Sequence, residues 1–208
     1  AVLARREMMA DPCKVNHVLP PPSLLKARQR QTSLTGYNAS MRCIAIAAVT
    51  IDGKIALHSG HLSDWTSPED KDFLHKMLDG SDVVVIGNNT YKTAQGALSK
   101  RNCIVFTASV RTSEHKGDML TYCNPESSDC LPLMEKYEKV AVLGGTQTYT
   151  YFLENDLLDE IYLTIEPLVF GRGLNLFEST KNIEAHFHLE STKQLNDKGS
   201  VLLHYIKV

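Results

Sequence analysis

From Arg42 onward the chain alternates short apolar runs with stretches of helical spacing. The runs CIAIAAVTI, DVVVIG, NCIVFTAS, DMLTYC, KVAVLGG and EIYLTIEP are rich in apolar and β-branched residues and are flanked by Gly, Asp, Asn or Pro, which predicts strands. Between them, TSPEDKDFLHKML and TQTYTYFLEND carry apolar residues three and four apart, which predicts helices. Such alternation points to an α/β fold with a mostly parallel central sheet, here of about eight strands with helices on both faces. The tail differs: EAHFHLES and SVLLHYIKV flank the turn-rich Asn196-Asp197-Lys198-Gly199 and predict a closing antiparallel hairpin. No internal repeat is visible.

Residues 1 to 40 break this pattern. They hold no sustained period, contain Pro20-Pro21-Pro22, and carry six Lys and Arg side chains against Glu7 and Asp11. They read as a disordered leader or transit segment before a catalytic domain at 41–208, with Met41 the expected start. A formal charge of -2 and the lack of a long basic stretch argue against nucleic acid as a partner. No apolar run approaches the roughly twenty residues that cross a bilayer, so a cytoplasmic monomer or homodimer without a membrane partner is expected. The five cysteines (Cys13, Cys43, Cys103, Cys123 and Cys130) form no CxxC pair and read as free thiols in a reducing compartment.

The richest candidate chemistry lies between Trp65 and Leu78. Ser67 and Pro68 announce a helix whose inward face is Phe73, Leu74, Met77 and Leu78, and Asp70 shares that face. Asp70 fits two descriptions: the third-position acid of a capping box opened by Ser67, or a buried carboxyl with a raised pKa that binds or protonates a ring nitrogen. Two strand-to-helix turns carry glycine, Gly87 with Asn88, Asn89 and Thr90, and Gly144-Gly145 with Thr146; each suits a pyrophosphate at a helix N-terminus. The GxGxxG fingerprint is missing after the first strand, and no GxSxG motif suggests covalent catalysis. In EIYLTIEP, Tyr162 and Thr164 fall on the face opposite Ile161, Leu163 and Ile165. The pairs His58/His61 and His186/His188 lack the further ligands a metal site needs, so no metal is expected.

Taken together, these residues resemble dihydrofolate reductase in order and spacing along most of Cys43 to Val208. Ile46 to Asp52 is similar to that family's first strand. Trp65-Thr66-Ser67-Pro68-Glu69-Asp70 matches its Trp-x-x-Pro-x-acid segment, and LGGTQTYTYFL matches its Gly-Gly-x-x-x-Tyr nucleotide turn. The resemblance implies hydride transfer from NADPH, with NADH left open, to a C=N bond of a pterin or pyrimidine. Asp70, Thr164 and Trp65 would be the catalytic group, and Ile46, Ala48, Phe73, Leu74 and Arg101 the substrate contacts, with Arg101 gripping a glutamate tail. Cofactor contacts would be Ala48, Ile55, Gly87, Asn88, Asn89, Thr90, Thr107, Ala108, Ser109, Leu143, Gly144, Gly145, Thr146, Gln147, Thr148 and Tyr149. Asn88 stands where the family has a basic residue for the cofactor 2′-phosphate, leaving Thr107, Ser109 or Arg111 for that task.

A second branch competes. DGKIALHSG, LLDEIYLTIEPLVFGRG and LNLF are similar to the riboflavin-biosynthesis reductase domain, although the helix over Glu69 to Asp79 has no arginine and no acid-acid-proline run follows Thr90. The sequence therefore leaves three readings. Dihydrofolate reduction comes first, reduction of 5-amino-6-(5-phosphoribosylamino)uracil second, and a catalytically silent nucleotide-binding module third.

Overall fold

The computed structural model describes residues 41–208; the expected leader at 1–40, with Cys13, lies outside them. Strands β1 (Arg42–Thr50), β3 (Val83–Gly87), β4 (Cys103–Phe106), β6 (Leu120–Cys123), β7 (Lys139–Val142) and β8 (Leu158–Glu166) form the parallel centre of one sheet. Antiparallel strands close both sides: β5 (Ser113–Gly117) beside β6, and β11 (Val201–Lys207) with β10 (Phe187–Gln194) beside β8. The sheet thus has nine strands, in the order β10-β11-β8-β1-β7-β3-β4-β6-β5, against the eight or so expected. The segment SEHKG of β5 is polar throughout, so no alternation marked it. A separate two-stranded sheet joins β2 (Lys54–Ala56) to β9 (Leu174–Asn175), and these short strands gave no signal either.

Alternating residues of the parallel strands feed two cores, because successive side chains of a strand point to opposite faces. On one face, Ile44, Ile46, Val84 and Ile86 pack against helices α1 (Pro68–Asp79) and α2 (Asn88–Leu98). On the other, Cys43, Ala45, Val85 and Val142 pack against α3 (Cys130–Glu135) and α4 (Thr146–Glu154). Helices therefore cover both faces: α1 and α2 lie on connections that run from β1 toward β4, and α3 and α4 on connections that run back from β6 to β7 and β8, so crossovers of one hand place the two pairs on opposite faces. The direction of the connections switches beside β1, whose neighbours are β7 and β8, and it is at such switch points that open α/β sheets bind ligands.

One expectation is overturned. Cys123 and Cys130 form a disulfide, while Cys43 and Cys103 stand outside any disulfide and are buried in the cores. The pair joins the end of β6 to the start of α3, two points whose Cα atoms lie 5.9 Å apart, within bridging distance. Sequence spacing alone does not report that proximity. None of the helices among the described residues is long and apolar enough to cross a membrane.

Candidate functional site

Helix α1 begins where the sequence placed it. Ser67 is the N-cap, its hydroxyl accepting from the Asp70 amide at 3.3 Å, and Pro68 occupies the first turn where a missing N–H costs nothing. A capping box would have Asp70 return the bond to the Ser67 amide. Instead that amide donates to Glu166 Oε1 at 2.7 Å. The Asp70 carboxylate is released from capping and is hydrogen-bonded by the side chains of Thr164 and Thr66.

Asp70 is only 8% exposed. Burial pushes its pKa above the ordinary aspartate value and Glu166 adds to the rise, while hydrogen bonds from Thr164 and Thr66 oppose it. Thr164 reaches α1 because it lies on the same strand face as Tyr162, whose ring meets Phe73 at 5.4 Å between centroids. Thr164 also pairs in register with the half-buried Ala48 of β1, so Ala48 borders the same group. Phe73 and Leu74 are half-buried on that face.

The two glycine turns meet each other beyond β3 and β7. The Gly87 amide donates to the Gly144 carbonyl at 2.7 Å, and the Gly145 amide donates to Thr90 Oγ1 at 3.0 Å. Gly144 must be glycine on two counts: its φ is +80°, and a Cβ there would come within 2.3 Å of the Tyr149 ring. Tyr149 is buried and donates from its hydroxyl to the Ile46 carbonyl at 2.6 Å. It therefore buttresses the turn from behind, with its phenol pKa pushed up by burial and further by the charge of Asp70. Thr146 and Thr148 are buried too, Thr146 donating to the Asn175 carbonyl, so within this turn Leu143, Gly145 and Gln147 keep exposed surface.

Helices α2 and α4 both start at a glycine, Gly87 and Gly145, with no side chain capping the first turn. Their leading N–H groups are thus open to an anion, which is the fit a dinucleotide pyrophosphate requires. Next to Gly87 across the sheet, Thr107 and Ser109 form a local turn in which Thr107 Oγ1 accepts from the Ser109 amide at 3.2 Å. Ala108 and Arg111 are exposed beside it.

Other expected residues stand apart. Arg101 is engaged at the far end of α1 and α2, paired with Asp79 and donating to the Ala97 carbonyl. With Asp79 nine residues after Asp70, about 14 Å along the helix, Arg101 is not brought to the Asp70 group, and a carboxylate tail would have to displace Asp79. Ile55 packs toward the α3 and α4 core. Trp65 lies in a single 3₁₀ turn (Ser63–Trp65) and meets Phe170 edge-on at 5.2 Å. His61 also meets Phe170, at 5.5 Å, and no group of three or more metal-ligating side chains exists among the described residues.

Sequence reasoning missed two acids. Asp52 accepts from Thr50 Oγ1 at 2.6 Å and from the Phe170 and Gly171 amides at 3.1 and 2.8 Å, fastening the loop after β8 across the exit of β1. Glu166 is buried and tied to Ser67, as above, and to the Ser200 hydroxyl. An acid closing the apolar run EIYLTIEP just before Pro167 was the available signal for Glu166, and nothing local distinguished Asp52.

A family model described as dihydrofolate reductase matches residues 42–198. The uncharacterised protein YwjB of Bacillus subtilis (strain 168) is 28% identical over 177 residues, which are 80% of this chain and 98% of that protein. A crystal structure of a putative riboflavin biosynthesis protein from Shewanella sp. PV-4 superposes with a TM-score of 0.64 at 23% identity, covering 81% of this chain and 99% of the other. A pyrimidine reductase-like protein of Corynebacterium diphtheriae gives 0.63 at 16% identity, covering 82% and 93%. The diaminohydroxyphosphoribosylaminopyrimidine deaminase/5-amino-6-(5-phosphoribosylamino)uracil reductase of Thermotoga maritima gives 0.61 at 20% identity, covering 81% of this chain and 57% of the longer one. At these identities the three superpositions show a shared fold.

Proposed function

From the premise that this chain belongs to the dihydrofolate reductase family, we propose that it is an NADPH-dependent reductase acting on a C=N bond of an aminopyrimidine substrate. The observation that carries the reading is the buried Asp70 carboxyl, released from capping by Glu166, held by Thr164 and Thr66, and flanking the Gly87 and Gly144-Gly145 turns through Tyr149. When bound, the nicotinamide supplies the hydride. The protein's part is orientation, exclusion of water and a proton.

Hydride arriving at the carbon of C=N leaves an electron pair on nitrogen, and that nitrogen must be protonated. A carboxyl with a raised pKa keeps a larger protonated fraction near neutrality, so Asp70 is suited to hydrogen-bond the pyrimidine edge and to donate or relay the proton. Thr164 fixes the carboxyl rotamer. The uncapped starts of α2 and α4, with Asn88, Asn89, Thr90, Gly145 and Gln147, would hold the pyrophosphate, and Thr107, Ala108 and Ser109 would border the adenosine end.

Among substrates, 5-amino-6-(5-phosphoribosylamino)uracil comes ahead of dihydrofolate. The names of the structural relatives support it, and the engagement of Arg101 by Asp79 weakens the case for a folate tail. Dihydrofolate stays as the second reading because the Asp70–Thr164 pair fits the family's acid and its threonine. Loss of NADPH absorbance with each compound separates them. Turnover of the phosphoribosylamino compound alone supports the first, turnover of dihydrofolate alone the second, and NADPH binding without oxidation by either supports a silent module.

A further inference from the structure

Glu166 ends β8 two residues after Thr164, so both side chains project from one strand face toward the first turn of α1. Thr164 takes the Asp70 side chain, and Glu166 takes the Ser67 amide at 2.7 Å. The second carboxylate oxygen of Glu166 accepts from Ser200 Oγ, which is buried at the foot of the C-terminal hairpin. Asn196 of the same hairpin turn donates to Ser200 Oγ at 3.0 Å and to Glu69 Oε2 at 3.1 Å. One buried acid thus joins β8, the start of α1 and the hairpin turn, and no Lys or Arg forms an ion pair with it among the described residues.

We propose that Glu166 is a positioning residue that acts through Asp70: it holds the N-terminal turn of α1 and sets a second negative charge behind the Asp70 carboxyl. The first effect takes the place of the capping-box return bond that Asp70 would otherwise make. The second favours the protonated acid, in the same direction as burial. The groups facing Asp70 are Lys71 on its own helix, Thr66 before it, Thr164 and Glu166 on β8, and Tyr149 on α4; Lys71 is the one cation among them. The role in catalysis rests on the reductase reading, whereas the coupling of the two carboxyls does not.

The test follows the Asp70 carboxyl directly, without substrate, in protein labelled with carbon-13 at aspartate side chains; Asp70→Asn identifies the resonance. In Glu166→Gln, which keeps an acceptor for Ser67, the midpoint should fall by at least about 0.3 pH units, a twofold loss of protonated acid above the midpoint. Glu166→Asp retains the charge and should leave the midpoint closer to wild type than Gln does. A midpoint unmoved in folded Glu166→Gln overturns the proposal. Should that variant not fold, wild type decides, since coupled carboxyls broaden the Asp70 titration beyond a one-proton curve, and a curve that fits a single independent proton overturns the coupling. The pH profile of turnover is read second: its alkaline fall should move to lower pH in Glu166→Gln, whereas a fall in kcat with an unmoved profile assigns Glu166 a purely structural role and overturns its action through Asp70. Wild-type protein that titrates as expected yet oxidises no NADPH with either candidate substrate sinks the reductase reading alone.

Discussion

At the scale of single residues, Asp70 combines two requirements that oppose each other. Burial raises its pKa and so suits proton donation, but the same burial penalises the ionised form in the folded state. An acid whose pKa is raised on folding contributes its stability below the unfolded carboxylate range and loses it as pH rises through the folded value. Asp70→Asn should therefore raise the melting temperature at neutral pH by a few degrees, with the gain vanishing in acid, as calorimetry across pH would show. If Asp70 is the proposed proton donor to substrate, the same variant should lower turnover by roughly 10²–10⁴-fold while leaving NADPH affinity near wild type. Gly144→Ala asks a different question. It meets an unfavourable φ of +80° and a contact of 2.3 Å with Tyr149, so it should cost about 1–3 kcal/mol in denaturant melts and weaken NADPH binding with it.

At the scale of elements, the loop after β8 is held by one side chain. Asp52 sits at the exit of β1, and its carboxylate pKa is lowered first by the Thr50 hydroxyl and then by the Phe170 and Gly171 amides. A lowered acid gives its hold above the ordinary carboxylate range and loses it as pH falls through the folded value. The loop carries Phe170 against Trp65 and His61, and Ile51 and Val169 beside it are 64% and 59% exposed. Asp52→Ala should speed hydrogen exchange at the Phe170 and Gly171 amides roughly tenfold, the loss of about one hydrogen bond each, and raise the substrate KM more than it lowers kcat. Unchanged exchange at both amides would remove the clamp from the account.

At the scale of the whole molecule, the disulfide lies at the end of the sheet that carries the Gly87 turn, since Cys123 pairs with Phe106 and Phe106 with Gly87. The Thr107 amide donates to the Cys123 carbonyl at 2.9 Å, and Asn124 Nδ2 to the Val110 carbonyl at 3.2 Å, so the residues around the bridge support the turn beside Gly87. Closing a loop between residues seven apart restricts the unfolded chain by about 2–3 kcal/mol in the chain-entropy account. Reduction, or Cys123→Ala with Cys130→Ala, should lower the melting temperature by roughly 5–10 °C for a domain of this size. A reduced protein that melts unchanged would show that the bridge adds nothing to stability.

The sequence by itself determined the parallel strands, the starts of α1, α2 and α4 and the hairpin, because period and capping chemistry are local and each segment's pattern must match its own surroundings. It also carried Asp70, Thr164 and the two glycine turns, since an acid on an apolar helix face and glycine at a strand exit are visible within a few residues. Strands β2, β5 and β9 escaped it: β2 and β9 are very short and pair with each other across the span from Lys54 to Asn175, and β5, although hairpinned with β6, is polar throughout. The tertiary structure alone decided the rest: that Cys123 meets Cys130, that Arg101 spends its charge on Asp79, and that Glu166, ninety-nine residues away, takes the Ser67 amide. That last contact removes the capping-box description of Asp70, because the amide it would return a bond to is already taken. Whether an acid caps its own helix or turns to a cleft depends on what else reaches the N-cap amide, and no local pattern records a contact made from the far end of another strand.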